Sequence, residues 1–343
     1  MIKSNVSLAL MITALQLTSA ASVVFATDKV SVNPQAKQPA ASDISHHQFE
    51  PIQPIPLRLA VDTQKAALGK QLFSDRRLAK NERIACIDCH DLKHGGTNAD
   101  AVTPSFNTQA PQLNTPTIFN VAFNKNYYWS ARFTSLDRQL DDAIQELGVT
   151  WEQLQNKIQR NPQYVALFNR AFPADGITIS NIKQAIIAYE RSLITPNSRF
   201  DKYLRGDLQA LSSKEKQGYE LFKSYGCSAC HQGVNVGGNL AIDPTTLYGK
   251  QQNLSSDNIP TVYNRLSLNH RGNTKIRVPS LRNVAITPPY FHDGSTDTLE
   301  QAVTKMADMM ADSQLGIRIP PKDIELIATF LRTLTGEYNG KAL

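Results

Sequence analysis

Two copies of the motif Cys-x-x-Cys-His, at residues 86–90 and 227–231, use all four cysteines of the chain. In this motif each thiol forms a thioether with a vinyl group of a haem, and the adjacent histidine becomes a ligand of the haem iron. The alternative, cysteines that are buried or disulfide-paired, is disfavoured because both copies carry the trailing histidine and no cysteine is left over. The motifs therefore predict two covalently bound c-type haems, attached through Cys86, Cys89, Cys227 and Cys230 and ligated by His90 and His231.

Residues 1–26 predict a secretory signal peptide. Lys3 is the only charged residue in this segment, residues 8–24 are mostly apolar, and Val24-Phe25-Ala26 fits a cleavage site. An uncleaved membrane anchor is the alternative, because the apolar stretch is near the length of a spanning helix. Polar residues interrupt the stretch and favour cleavage. An exported protein that carries c-type haem is expected in the periplasm.

Composition divides the rest of the chain. Residues 27–56 are rich in Pro, Gln, Ala and Ser and lack periodicity, which predicts a flexible leader. The remaining length suits two domains, at residues 57–205 and 206–343. Removing the signal deletes Lys3 and changes the net charge from +6 to +5, an excess too small to indicate nucleic-acid binding.

An internal repeat organises these two domains. Gly-Lys-Gln-Leu-Phe at residues 69–73 precedes the first motif, and Gly-Tyr-Glu-Leu-Phe at 218–222 precedes the second. Residues 116–122 likewise match residues 279–285. Apolar residues recur at helical spacing and no alternating run indicates a sheet. The sequence predicts an all-α fold of two cytochrome c-like haem domains with long loops, related by internal duplication.

The repeat register predicts that the two irons differ. Met306, with Met309 and Met310 in reserve, follows the second motif, and a thioether is a common axial ligand; packing into the core is the alternative. Ala143 lies opposite Met306 in the register, and Glu146 follows one turn later. An iron with an open position can bind peroxide, and a carboxylate can move its proton. The alternative for Glu146 is a solvated residue near a helix end.

These features, together with Asn-Thr-Pro-Thr-Ile-Phe-Asn at residues 114–120 and Pro-Tyr-Phe-His-Asp-Gly at 289–294, resemble the bacterial di-haem cytochrome c peroxidases. That family includes the MauG-type enzymes, and the resemblance runs from about residue 62 to 335. It implies a low-potential peroxidatic haem on His90 and a high-potential electron-entry haem on His231, with Met306 as its second ligand.

The resemblance also implies roles for other side chains. Glu146 matches the active-site glutamate of the family, and Trp129 matches a tryptophan between the haems. It implies one calcium ion between the domains, held by a side-chain amide oxygen, backbone carbonyls and waters, as a hard cation prefers. The positions that match its ligands are Asn114, Thr287 and Pro289.

Two departures from the family pattern matter. Phe106 stands where many members hold a histidine that ligates the peroxidatic iron until the other haem is reduced. The first iron is therefore expected to be five-coordinate or water-bound even when both irons are ferric. His94 is interpreted as a helix-end or propionate-side residue, and the roles of His270 and His292 stay open. The second departure is Ser-Ala between Trp129 and Arg132, where Asp-Gly is common.

The predicted function is reduction of hydrogen peroxide to water, with electrons from a small cytochrome c or copper protein. One alternative is a MauG-type oxidase that modifies a partner protein, but those enzymes carry tyrosine where Met306 stands. Another is a non-catalytic di-haem electron carrier, against which Ala143 and Phe106 argue. The family is often dimeric, so a homodimer is an open expectation.

Overall fold

Helices dominate the computed structural model, which describes residues 50–103, 113–243, 246, 275–313 and 315–343. The α-helices of this part of the chain are α1 Thr63–Ser74, α2 Cys86–Cys89, α3 Leu136–Ala143, α4 Trp151–Gln159, α5 Pro162–Ala171, α6 Ile179–Ser192, α7 Arg199–Leu204, α8 Ser213–Ser224, α9 Cys227–Cys230, α10 Leu299–Asp312 and α11 Pro321–Leu331. Short 3-10 turns join them at Arg76–Leu78, Leu92–His94, Val121–Phe123, Ile144–Leu147, Val284–Ile286 and Arg332–Leu334. The helical prediction is confirmed.

Side-chain caps explain where several helices begin. The Thr150 hydroxyl accepts from the Gln153 amide and the Gln153 side chain accepts from the Thr150 amide, so a capping box starts α4. Ser212 and Glu215 form the same box at α8. These caps satisfy amides that the first helical turn cannot pair.

Two hydrophobic clusters form the core. In the first, α1 crosses α6, and Gly69 allows the contact because a Cβ there would overlap the carbonyl oxygen of Ala185. In the second, α8 crosses α11, and a Cβ on Gly218 would overlap the carbonyl oxygen of Leu326. Each predicted haem-binding half therefore rests on one close helix pair, and its motif follows directly after α8 in the second half and after the turn Arg76–Leu78 in the first.

The second cluster also takes in α7. Phe200 packs edge-on against Tyr219 and Phe330, with ring centroids 4.7 and 4.9 Å apart. The predicted boundary after residue 205 places α7 in the first domain, whereas Phe200 and Leu204 pack in the second core. Residues from His46 onward form one compact unit that contains both clusters.

The ends of the described chain each pack on the opposite half. Ile52 and Ile55 are only 1 % and 0 % exposed, and Ile52 lies in the second core. The expectation of a flexible leader up to residue 56 is therefore wrong for residues 50–56, because their apolar side chains find a buried site there. At the other end, Tyr338 packs edge-on against Phe119, and Leu343 also lies against the first core.

In the part of the chain that the structure describes, the strands form two short antiparallel pairs. Strands β1 Ala241–Ile242 and β2 Ile276–Arg277 pair with each other, as do β3 Glu337–Tyr338 and β4 Lys341–Ala342. Two-residue strands are too short to leave an alternating pattern in the sequence. Among the described residues, none of the helices is both long and apolar enough to cross a membrane.

Matching positions of the two halves share backbone geometry. Asn120 and Asn283 both adopt a left-handed conformation, with φ of 61° and 60°, and each starts a 3-10 turn. The Asn120 amide donates to the Leu193 carbonyl, and the Asn283 amide donates to the Leu334 carbonyl. The side chains of both asparagines reach the Thr195 hydroxyl, so the two halves meet at a buried polar contact.

Candidate active site

The first motif forms one helical turn that presents two thiols and an imidazole together. Asp88 supports the turn, because its carboxylate accepts from the Ala85 amide at 2.8 Å and from the Arg76 Nε at 2.9 Å. The His90 amide donates to the Cys86 carbonyl and ends the turn. In the second motif, the His231 amide donates to the Cys227 carbonyl in the same way.

Each histidine ring is oriented by a backbone carbonyl. The Nδ1 atom of His90 lies 3.3 Å from the Gly96 oxygen, and that of His231 lies 3.4 Å from the Val236 oxygen. Burial lowers the pKa of His90, and it lowers the pKa of His231 to about 4. Both rings are therefore neutral near pH 7, with Nδ1–H donating and Nε2 left to bind a metal, as haem ligation requires.

The cysteines differ from those of a redox dithiol. None is in a disulfide, and burial raises the pKa of Cys86 to about 12 and of Cys227 to about 11. Burial also raises the pKa of Cys89 and Cys230. Redox-active Cys-x-x-Cys sites instead lower the pKa of the attacking thiol. Thiols that remain protonated beside an oriented histidine fit the attachment of a c-type haem.

The helices that follow the two motifs end differently. On α10, Met306 is partly buried and Met310 is buried. In the first half, α3 ends at Ala143 and tightens into the turn Ile144–Leu147. Gly148 closes this turn in the left-handed conformation, at φ 69°. The tightened turn carries Glu146 in an exposed position. Burial raises the pKa of the Cys89 thiol, and the charges of Asp88 and Glu146 raise it further.

Trp129 lies where the two halves meet. Its Nε1 donates to the Asn114 carbonyl at 2.8 Å, and its ring packs edge-on against His292, with centroids 6.1 Å apart. The Asn114 amide donates to the His292 carbonyl at 2.8 Å, which closes the cluster. Arg277 completes it by donating its amide to the Trp129 carbonyl. The predicted bridging residue is thus held by both halves of the chain.

The loop of Trp129 is also tied to the helix that carries Ala143. Arg132 forms an ion pair with Asp142 of α3, and its guanidinium lies 4.2 Å from the centre of the Tyr128 ring. The ion pair holds the segment after Trp129 against α3, and the contact with Tyr128 closes the loop on itself. The Ser-Ala sequence that departs from the family pattern lies between Trp129 and Arg132.

The sequence matches the model of a family described as di-haem cytochrome c peroxidase over residues 63–209. A cytochrome c551 peroxidase of Nitrosomonas europaea is 37 % identical over 84 % of this chain and 85 % of its own length. The chain belongs to the di-haem cytochrome c peroxidase family. It is therefore an oxidoreductase with peroxide as the electron acceptor, and the family implies two c-type haems.

Further relatives agree with this peroxidase assignment. The cytochrome c peroxidase Ccp of Escherichia coli is 36 % identical over 89 % of this chain, which spans 65 % of that longer protein. A crystal structure of a MauG-like protein associated with microbial copper homeostasis has a TM-score of 0.64 at 24 % identity. That structure is matched over 84 % of this chain and 94 % of its own, and it shows the fold.

The remaining predicted residues have varied surroundings. The side-chain amide of Asn114 donates to the Asp100 carbonyl at 3.0 Å, and the methyl group of Thr287 lies beside Gly95. Pro289 precedes Tyr290, which pairs with Thr296. The exposed His94 pairs with Asp91 at 2.8 Å. Phe106 and His270 lie outside the described residues, and the calcium ligands stay a prediction.

Sequence reasoning missed two kinds of residue near the peroxidase site. The carbonyls of Gly96 and Val236 orient His90 and His231, and backbone groups leave no signature of residue type. Glu190, a buried carboxyl on α6, was also missed. The repeat register holds a signal for it, because Tyr-Glu-Arg-Ser-Leu at residues 189–193 matches Phe-Leu-Arg-Thr-Leu at 330–334.

Proposed function

We propose that this peroxidase reduces hydrogen peroxide at the haem held by His90 and receives electrons through the haem held by His231. When bound, the first haem supplies an iron with an open coordination position, and the second supplies a closed electron-transfer site. The observation that carries the proposal is the difference between α10, which bears Met306, and α3, which ends at Ala143 before Glu146. Alanine has no atom that can ligate iron.

Glu146 has the role of proton carrier. Its exposed position on the turn that follows α3 supports this role, as does the contribution of its charge, after burial and Asp88, to the raised pKa of Cys89 in the first motif. A carboxylate so placed moves a proton between the two peroxide oxygens and assists cleavage of the bond that joins them. Water is the product once two protons and two electrons have been delivered.

Trp129 has the role of bridge for electrons between the halves. Its contacts with Asn114 and His292 support this, because they hold the indole between residues of both halves. The electron donor is a small cytochrome c or a copper protein, and the active form is a homodimer. We assign one calcium ion to Asn114, Thr287 and Pro289, and cleavage of residues 1–26 to export into the periplasm. The matching geometry of Asn120 and Asn283 supports internal duplication.

Peroxide turnover tests the proposal. Purified protein with both haems, hydrogen peroxide and a reduced small cytochrome c should oxidise the cytochrome in a two-to-one ratio to peroxide. An oxidised protein that persists while the cytochrome stays reduced would contradict the proposal and favour the MauG-type alternative. Neither reaction would be seen with a simple electron carrier.

Glu146→Gln tests the proton carrier directly. Removing a general acid–base group slows such reactions by about 10²–10⁴-fold, so kcat should fall by that factor while the haem absorption spectrum is unchanged. The matched control is Glu152→Gln, since Glu152 is also exposed and lies in the first turn of the next helix. Equal rates in the two variants would remove Glu146 from the mechanism.

An EPR spectrum of the fully oxidised protein tests the effect of Phe106. An iron without a sixth protein ligand gives a high-spin signal, so one high-spin and one low-spin haem are expected. A wholly low-spin spectrum would show that another side chain closes the first iron. In a protein with one high-spin haem, Phe106→His should convert the high-spin signal to low-spin, because the imidazole supplies the missing ligand.

A further inference from the structure

Glu190 is a buried carboxyl that the proposed mechanism does not use. It lies near the end of α6, it is 4 % exposed, and its Oε2 atom has no hydrogen-bond partner among the described residues. Burial of a polar group without a partner is costly, so each such group calls for a physical explanation.

The neighbours of Glu190 connect it with the first haem. Burial is the largest cause of the raised pKa of Cys86, and the charge of Glu190 is the second largest. The same two causes, in the same order, raise the pKa of Tyr127. The Tyr127 hydroxyl donates to the Asn124 carbonyl at 3.2 Å. Geometry connects the same two regions, because the Phe73 ring packs against His90 of the first motif, at 6.3 Å between centroids, and against Tyr189, the neighbour of Glu190, at 5.3 Å.

The second half of the molecule has an apolar residue at this position. Gly69 packs on Ala185 and Gly218 on Leu326, and the Asn120 and Asn283 amides reach Leu193 and Leu334. Ala185 thus corresponds to Leu326 and Leu193 to Leu334, and the separation in sequence is the same for both pairs. The same separation aligns Glu190 with Leu331. Leu331 is also 4 % exposed and lies in the second core. The two haem-binding halves therefore differ by a buried carboxyl against a buried isobutyl group.

We propose that the carboxylate of Glu190 lowers the reduction potential of the first haem. Glu190 also accepts one proton from solvent when that haem receives one electron. The proposal rests on the roles proposed above for the two haems. The arriving negative charge is balanced by the proton that Glu190 takes up, so no further reactant is needed. Leu331 has no such group, which leaves the second haem at a higher potential.

The physical basis is the interaction of charges away from water. A carboxylate stabilises the ferric form of a haem more than the ferrous form, because the ferric form carries one more positive charge. Burial strengthens this interaction, since the local dielectric constant is lower than that of water. Burial also raises the pKa of Glu190 to about 8. The group is therefore protonated at pH 6 and mostly ionised at pH 9, and the potential is expected to fall between these values.

Other groups near Glu190 do not titrate in this range. Cys86 loses its thiol proton when it becomes a thioether, and burial raises the pKa of Tyr127 above its ordinary value. Arg191 and Arg277 both act on the pKa of Tyr127, and burial lowers the pKa of Arg277 only to about 10, which lies above this range. Glu190 is left as the side chain of this cluster that changes its charge.

The experiment is a spectroelectrochemical titration of the full chain with both haems, at pH 6 and at pH 9. In the wild type, the potential of the first haem should be lower at pH 9 than at pH 6. Glu190→Gln keeps the size of the side chain and removes the charge. It should raise the potential of the first haem at pH 9 to near its pH 6 value and leave the second haem unchanged.

Two further variants complete the test. Glu190→Asp keeps a carboxylate and should keep the pH dependence, whereas Leu331→Gln is the matched control and should leave the first haem unchanged. An unchanged potential in Glu190→Gln at pH 9 would overturn the proposal. If Glu190→Gln fails to incorporate haem, the wild type still provides a test. A potential of its first haem that does not vary between pH 6 and pH 9 would also overturn the proposal. Peroxide turnover is not the readout, so failure here and failure of the proposed peroxidase mechanism are distinct results.

Discussion

Met306 is the side chain whose identity most clearly separates the two haem-binding halves. It lies on α10 at the position that Ala143 occupies at the end of α3. Met309 and Met310 share α10, but Met310 is buried and its carbonyl accepts from the Ile317 amide. In the proposed function, this one residue position, a thioether in one half and a methyl group in the other, distinguishes a closed iron from an open one.

Met306→Leu should convert the second haem from low-spin to high-spin and lower its reduction potential, because a thioether ligand raises the potential of haem iron. Leucine keeps the apolar volume, so the fold should be unaffected. EPR spectroscopy and redox titration measure the two effects. Met309→Leu is the matched control on the same helix, and a spectral change in that variant alone would show that Met309 is the ligand.

At the scale of elements, one close helix pair supports each motif. Gly218 brings α8 onto α11, and the aromatic rings of Tyr219, Phe222 and Phe330 pack around the contact. Helix α8 runs directly into α9, which bears the second pair of cysteines. Any shift of α8 is therefore transmitted to the haem attachment site.

Gly218→Ala should destabilise the protein by about 1–3 kcal/mol, because the added methyl group must force apart two packed backbones. Equilibrium denaturation followed by circular dichroism measures the loss. Gln217→Ala is the control, since Gln217 is exposed on the same helix and alanine favours a helix there. Equal stability of the two variants would show that the helices do not meet at Gly218.

At the scale of the whole molecule, a buried polar contact joins the halves. The Thr195 hydroxyl accepts from the side-chain amides of Asn120, at 2.7 Å, and Asn283, at 3.0 Å. All three residues are buried. Buried groups of this kind are costly when left without partners, so the contact favours a single arrangement of the two halves.

Thr195→Val should therefore lower the free energy of unfolding by about 1–3 kcal/mol, because both asparagine side chains lose a buried partner. Thr333→Val is the matched control, since the buried Thr333 hydroxyl donates to the Phe330 carbonyl within its own turn. Thermal unfolding with both haems attached measures the difference. A larger loss in the control would show that the contact between the halves adds little.

The segment before α1 is a second link at this scale. The Gly233 amide donates to the Pro51 carbonyl at 2.8 Å, and Gly233 lies two residues after His231. Arg282 donates to the Gln53 carbonyl at 2.9 Å and pairs with Asp201 in the interior. The segment therefore contacts the loop that orients His231.

Ile52→Ala should cost about 2–5 kcal/mol of stability, as expected for truncation of a buried isoleucine. Leu57→Ala is the control, because Leu57 is exposed just beyond the segment. Chemical denaturation distinguishes the two variants. A stability near that of the wild type for Ile52→Ala would restore the interpretation of residues 50–56 as a flexible leader.

Sequence patterns predicted the parts of this molecule that depend on local chemistry. The helical class and the turns at the two Cys-x-x-Cys-His motifs follow from the types of neighbouring residues. The cluster of Trp129, Asn114 and His292 depends on segments far apart in the chain. The resemblance to the family indicated a role between the haems for Trp129, but it did not indicate these partners.

The sequence by itself determined the two haem attachments, the helical class, the family and the difference between Met306 and Ala143, because each depends on residue type at a fixed spacing. Tertiary structure alone decided the burial of Glu190, the carbonyl partners of the axial histidines and the packing of residues 50–56 on the second half. Burial and backbone partners arise from segments distant in the chain, and short-range patterns carry no information about which of those segments meet. The two motifs are alike in sequence, and their surroundings in the fold separate them.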